Sequence, residues 1–299
     1  MEKIKIFCAG LIGGDTMGHP QVLMHKGADL PGSITTNIGG VIANVAITMT
    51  NSYSDLINLE VNLLSCIGND QKSDLLLSLL SKNHNINCDN IIRLKGSTDG
   101  YIGIESDQKL FAAVASSSQL EKAGAKIFEP IIQNKLNFKN GCFKDHVIID
   151  SNLTKKTLDF LASDPFFDEV PFIIACASTF KAKKVRSLLI KRKCVIYSNL
   201  EEASAILGRK MACSTKAADS LFALGAREAI VTNGKNKVSC RSVNGLATHI
   251  PTLAINSKIT GAGDTFLAVH LLSKLVNNKL SEQTHLQIAD SKAYQKIVN

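Results

Sequence analysis

Six short apolar runs punctuate the chain, and segments of a different rhythm lie between them. The runs are KIKIFCAG (3–10), EVNLLSCIG (60–68), HVIID (146–150), PFIIACA (171–177), CVIYS (194–198) and EAIVTNG (228–234). Each is rich in Ile, Val or Leu, and most end on Gly, Ser, Asp or Asn, which predicts strands. Between them, GVIANVAITMTN (40–51) follows a glycine pair, and QKSDLLLSLLSKNH (71–84) spaces its leucines three and four apart. The same spacing recurs in TKKTLDFLAS (154–163), AKKVRSLLIKR (182–192), EEASAILGR (201–209) and STKAADSLFALG (214–225). These patterns predict half-buried helices, the last stopping at Gly225.

Strands that are apolar throughout and alternate with helices imply a parallel sheet covered on both faces. The fold class is therefore α/β, with a central, mostly parallel sheet. Such sheets bind ligands beyond the carboxyl ends of their strands. Two segments break the alternation. Residues 14–38 read as a loop with a short alternating piece, and residues 99–118 read as a hairpin turning near Ser106–Lys109. Together they predict a small sheet over the crevice, a lid; an edge hairpin of the main sheet is the alternative. No repeat, linker or low-complexity stretch divides the chain, so residues 1–299 are read as one domain with that lid.

Composition narrows the classes. At 45% hydrophobic and 20% charged the chain is ordinary globular material, and no apolar run approaches the 18 residues of a membrane span. Trp is absent and aromatics are 5%, which removes support for base stacking on nucleic acid. The net charge is +8, densest at KAKKVRSLLIKRK (181–193). That stretch reads as a solvated helix face, or as a field that attracts anionic substrates such as nucleotides. The eight cysteines are dispersed, with no CxxC pair and no histidine at metal-ligand spacing. They read as buried thiols in a reducing compartment, and the start MEKIKIFCAGLIGG reads as a strand and turn, so a cytoplasmic location is expected.

The candidate chemistry lies in ITGAGDTF (259–266). Gly261 and Gly263 allow a tight turn whose backbone N–H groups converge. If Asp264 opens the helix that follows, those groups and the helix dipole face one point, which favours negative charge. Asp264 beside them could take a proton from an attacking hydroxyl, being ionised at neutral pH with an ordinary pKa of ~3.9. The plainer alternative is a turn followed by an N-cap aspartate.

At these residues the chain resembles the ribokinase-like (PfkB) carbohydrate and nucleoside kinases, nearly end to end. TGAGDTFLA (260–268) is similar to that family's C-terminal signature, GGVIANVA (39–46) to its N-terminal one, and NLEE (199–202) to its asparagine-x-x-glutamate element. The resemblance implies a ribokinase-like fold with a β lid. It implies that Asp264 is the catalytic base and that Gly261, Ala262 and Gly263 form the anion hole. Asp15, Gly39, Gly40 and Asn44 would hold the acceptor. Asn199 and Glu202 would organise magnesium and phosphate, with Glu202 holding the metal, and Thr232 and Gly234 in VTNGKNK (231–237) would line the triphosphate. For the last, a simple hairpin turn at Asn233–Gly234 is the alternative. ATP and Mg2+ are implied, a monovalent cation is admitted, and so is a homodimer through the lid. No nucleic-acid or membrane partner is expected.

Within the family the chain looks most like the pseudouridine kinases, at PGSITTNIGGVIANVA (31–46), VIIDSNLTKKTLDFL (147–161) and STFK (178–181). It departs from them where an aspartate-proline is replaced by Ala175–Cys176 and an asparagine-aspartate by Ser116–Ser117. It departs from the family at Val269 and near Lys237, where glycines are usual. The expected activity is phosphoryl transfer from ATP to a primary hydroxyl, pseudouridine first. Ribokinase, fructokinase and adenosine kinase activities are the alternatives, with a non-catalytic sugar or nucleoside sensor on the same scaffold.

Overall fold

The computed structural model of the chain describes residues 3–53, 57–107, 109–133, 138–139, 142–143, 145–251 and 261–298. The six predicted strands meet side by side. Across the main sheet the spatial order is Gly245–His249, Asn236–Ser242, Glu228–Asn233, Val195–Asn199, Phe172–Ala175, His146–Asp150, Ile4–Ala9, Leu59–Leu64. The six that were expected pair in parallel; the first two of this order close one edge as an antiparallel hairpin. Along each parallel strand, alternate side chains enter opposite cores. Phe7, Val147, Ile149, Phe172, Ile174 and Ile196 pack on one face, against the helices Lys155–Ser163, Leu200–Leu207 and Ser214–Leu224. Ile6, Cys8, Ile148, Ile173, Tyr197 and Ile230 pack on the other, against Val41–Tyr53, Ala262–Val276 and Glu282–Val298.

The chain lays its second parallel strand on one side of Ile4–Ala9 and every later one on the other side. The strand order therefore reverses between Ile4–Ala9 and His146–Asp150, the position beyond which sheets of this kind bind ligands. Among the described residues no helix is long and apolar enough to cross a membrane.

Several boundaries differ from expectation. The run at 60–68 does not stay in one sheet: Leu59–Leu64 joins the main sheet, and Cys66–Gly68 pairs with Ile92–Leu94. The break falls at Ser65, whose hydroxyl donates to the Gly10 carbonyl at 2.5 Å. The segment at 14–38, expected to be mostly loop, supplies two eight-residue strands, Gly13–Pro20 and Gly32–Gly39. They join the expected hairpin, Gly100–Ser106 and Lys109–Ser116, in a separate four-stranded sheet. Its turn has Asp107 at φ +52°, while Gln108 lies outside the described residues. Pairing across strands, not local propensity, makes that sheet: its order is 32–39, 13–20, 100–106, 109–116. The strand Gly245–His249 and the helix Glu282–Val298 have polar sequences without a clear period and were not expected; Asn236–Ser242 was foreseen only through the alternative hairpin turn at Asn233–Gly234.

A partly buried polar chain fastens the helix Ala262–Val276 to the sheet and to the helix Glu282–Val298. Tyr197 Oη lies 2.8 Å from His270 Nδ1, and His270 Nε2 lies 2.7 Å from Glu282. The Lys274 ammonium donates to Glu282 at 2.9 Å and to Glu228 at 2.5 Å. Glu228, Cys240 and Glu282 cluster closely enough to suggest a cation site, but Lys274 already supplies the positive charge. Burial would raise the Glu282 carboxyl; the His270 hydrogen bond and the Lys274 charge outweigh it and bring it down to about 2. A carboxylate depressed in this way stabilises the fold above its ordinary pKa, and that contribution drains away as the pH falls towards 2. Lys274→Met should therefore lower unfolding stability by about 1.5–3 kcal/mol at pH 7, the scale for a hydrogen bond to a charged group. In urea denaturation at pH 3 the gap between variant and parent should narrow; an unchanged gap would contradict the linkage.

Candidate active site

The helix Ala262–Val276 begins at Gly261, which sits at φ +81° in the left-handed region and carries no side chain to cap the helix. Glycine reaches that conformation without strain. The leading N–H groups of the helix thus lack a side-chain cap and present the positive end of its dipole. Gly263 is exposed, with open space where a Cβ would stand. Asp264 does not open the helix as expected, nor is it the N-cap. The glycine turn takes that position, leaving Asp264 in the first turn. Residues 252–260, including the first residue of TGAGDTFLA, lie outside the described residues.

From that first turn the Asp264 carboxylate accepts a hydrogen bond from Asn44 Nδ2 at 2.9 Å. Asn44 lies in the first turn of the helix Val41–Tyr53, its own N–H bonded to the Gly40 carbonyl at 3.0 Å. Two helices 220 residues apart in sequence thus meet at their N-terminal ends. Gly40 has φ +96°, and a Cβ there would collide with the Leu11 carbonyl.

Asp15 projects from the small sheet. It is in register with Asn37 on one neighbouring strand and Tyr101 on the other, so the three side chains share one face. The sequence offered Gly39 as a point of close approach for a ligand; in the structure it also makes room for a neighbouring side chain. The Asp15 carboxyl lies directly over it, where any Cβ would stand. Burial raises the Asp15 carboxyl to about 6. Burial, then the charges of Asp15 and Glu105, raise the Tyr101 hydroxyl. Asn37 and Tyr101 escaped the sequence reading because only strand register reveals them.

A second group gathers on neighbouring strands. Asn199 and Thr232 are register partners at the carboxyl ends of Val195–Asn199 and Glu228–Asn233. NLEE forms a capping box: Asn199 Oδ1 accepts from the Glu202 N–H, and Glu202 Oε2 accepts from the Asn199 N–H, each at 2.9 Å. Glu202 is buried. Burial raises its carboxyl, opposed by the Asn199 bond and reinforced by the charges of Asp264 and Glu201. Glu202 and Asp264 thus feel one another. Glu202 Oε1 has no hydrogen-bond partner among the described residues, an oxygen suited to a magnesium ion or its water shell. Gly234, at φ +53°, turns the hairpin between Asn233 and Asn236, as the simpler alternative for that segment had it.

Of the departures, Cys176 lies near the second group, its thiol raised by burial and by the charges of Glu202 and Asp150, while the others sit apart. Val269 is fully buried in the core, and Lys237 is exposed, its carbonyl bonded to Ser214. Ser116 donates to Asp99 at 2.8 Å and Ser117 to Glu121 at 2.6 Å, anchoring the end of the small sheet.

The Asp15 carboxyl should titrate near pH 6 when followed by carbon NMR of labelled aspartate. A midpoint near the ordinary ~3.9 would show that the small sheet leaves it solvated.

The profile of the family described as pfkB family carbohydrate kinase matches residues 7–289. A comparison with curated protein sequences finds no match. Among solved structures, ribokinase from Thermotoga maritima superposes with a TM-score of 0.77 at 17% identity, covering 98% of this chain and 92% of that one. Ribokinase from Arabidopsis thaliana, solved with ribose and ATP, gives 0.74 at 17% identity over 98% and 92%. Phosphofructokinase-2 from Escherichia coli, in complex with fructose-6-phosphate, gives 0.73 at 16% identity over 100% and 94%. At these identities the likeness establishes a shared ribokinase-like α/β fold. The profile spans nearly the whole length, and the chain belongs to the pfkB family of carbohydrate kinases.

Proposed function

We propose that the protein transfers the terminal phosphoryl group of ATP to a primary hydroxyl of a sugar or nucleoside. The observation that carries this reading is the Asn44–Asp264 hydrogen bond beside a helix N-terminus without a side-chain cap. A carboxylate held there can accept the proton of an attacking hydroxyl. The amides of Ala262, Gly263 and Asp264 point where charge builds on the phosphoryl group in transit. Such transfer passes through a loose transition state, so positioning weighs more than base strength. Asn44 fixes the carboxylate; Asp15, with Asn37 and Tyr101 beside it, grips acceptor hydroxyls. Thr232 and Gly234 line the nucleotide end. Magnesium, when bound, would neutralise phosphate charge, with Glu202 Oε1 holding it directly or through water.

The small sheet acts as a lid whose Asp15 face covers the acceptor and excludes water. Its other face carries Ile34, Ile102 and Val114, exposed by 78%, 63% and 74%, on register-related positions. So much apolar surface on a sheet invites cover by a second copy, which supports a homodimer through the lid. Pseudouridine is the acceptor favoured by the resemblance at 31–46 and 147–161. The solved ribokinase with ribose keeps ribose next to it.

The reading is tested by incubating purified protein with ATP, Mg2+ and a panel of pseudouridine, ribose, fructose and adenosine, and detecting the phosphorylated acceptor. ATP consumed with no acceptor phosphorylated would leave the sensor alternative standing. Asp264→Asn should cut turnover by about 10²–10⁴ while ATP binding stays nearly unchanged. Normal turnover in that variant would remove the base role. Ile34→Glu combined with Val114→Glu should shift the protein from dimer to monomer in light scattering; a parent that is already monomeric would dismiss the lid interface.

A further inference from the structure

At the reversal of strand order, His146–Asp150 ends in a carboxylate that is completely buried. Asp150 accepts from the Leu11 N–H at 3.0 Å, from the Asn152 N–H at 2.8 Å and from Asn152 Nδ2 at 2.9 Å. A Cβ on Gly10 would lie 2.5 Å from its carboxyl carbon, so that strand end is built around it. Three N–H donors converge on Asp150, which suits an acceptor-only carboxylate. They also settle the orientation of the Asn152 amide: Nδ2 must face Asp150, and Oδ1 must face away. There Oδ1 receives the Lys181 ammonium at 2.5 Å.

Lys181 is half-buried and makes no ion pair among the described residues. Its hydrogen-bonding partner is one neutral amide oxygen, and an ammonium has three donors to place. Lys184 next to it differs, since its ammonium is spent on the Leu153 carbonyl at 2.7 Å and the Asn152 carbonyl. Lys181 follows the strand Phe172–Ala175, which lies between two others. On one side Val195–Asn199 leads to Asn199 and Glu202; on the other, beyond His146–Asp150, Ile4–Ala9 leads to Leu11 and Asp15. The nucleotide group and the acceptor group thus flank this position. A half-buried cation with donors to spare, at the boundary of the two, is arranged for an anion that arrives there.

We infer that Lys181, held by Asn152 and through it by Asp150, contacts the terminal phosphoryl group of the nucleotide and positions it for transfer. This rests on the phosphotransferase reading above and assigns that site a residue to which no role was given there. Asn152 aims the lysine, and Asp150 aims Asn152.

The test needs no acceptor. Titration calorimetry with ATP, ADP and AMP is run on the parent protein, on Lys181→Met and on Lys181→Arg. Lys181→Met should weaken ATP by about 10–100-fold, the loss expected for a hydrogen bond to a charged group, and leave ADP and AMP near parental affinity. Lys181→Arg should recover most of the ATP affinity, and thermal unfolding of both variants should match the parent. If Lys181→Met fails to fold, Lys181→Gln, which can still reach Asn152, should show the same selective loss. Parental ATP affinity in the folded methionine or glutamine variant, or equal losses for ATP and ADP, would overturn the assignment while leaving the kinase reading intact. A parent protein that binds no ATP would instead bring down the kinase reading, and this inference with it.

Discussion

One hydrogen bond across 220 residues of sequence organises the site: Asn44 Nδ2 to the Asp264 carboxylate. It joins two helices that start at the same end of the sheet, each just after a glycine with positive φ, Gly40 at +96° and Gly261 at +81°. Two helix dipoles therefore point their positive ends at one place, and the carboxylate is pinned between them. The joint sets the aim of a first-turn aspartate across the gap between two helices.

The small sheet contributes through register rather than through any motif. Asp15 aligns with Asn37 and Tyr101 because Gly13–Pro20 pairs with both neighbours in phase. Slipping one residue would turn all three away. Gly39 matters in the same frame, since the carboxyl of Asp15 occupies the space any side chain there would need. Burial then raises Asp15 to about 6, so on this face of the small sheet its carboxylate is harder to ionise.

Charge is distributed across the crevice with similar economy. Glu202 is buried in a capping box and raised further by Asp264, and Asp150 is buried under three N–H donors. Both carboxylates are held chiefly by backbone and amide groups. That leaves Lys181 with donors unspent. On the far side of the helix Ala262–Val276, a separate chain of Tyr197, His270, Glu282, Lys274 and Glu228 is mutually satisfied and serves to lock the helix in place.

Much of this was legible before any coordinates. Apolar runs and helical spacing specify a doubly covered parallel sheet because burial on both faces demands those patterns. The glycine turn before Asp264, the NLEE box and the asparagine after Gly40 announce themselves locally, since caps and turns depend on near neighbours. The edge strand Gly245–His249, the last helix and the two strands drawn mostly from 14–38 were not legible. Their residues are polar or glycine-rich, and pairing with distant segments makes them regular. The sequence alone thus determined the layered α/β frame and the local turns at its strand ends. Only the tertiary structure decided that Asn44 faces Asp264, that Asp15 lies over Gly39 between Asn37 and Tyr101, and that Asp150 steers Lys181 through Asn152. Those contacts depend on strand order and register, which local spacing does not encode.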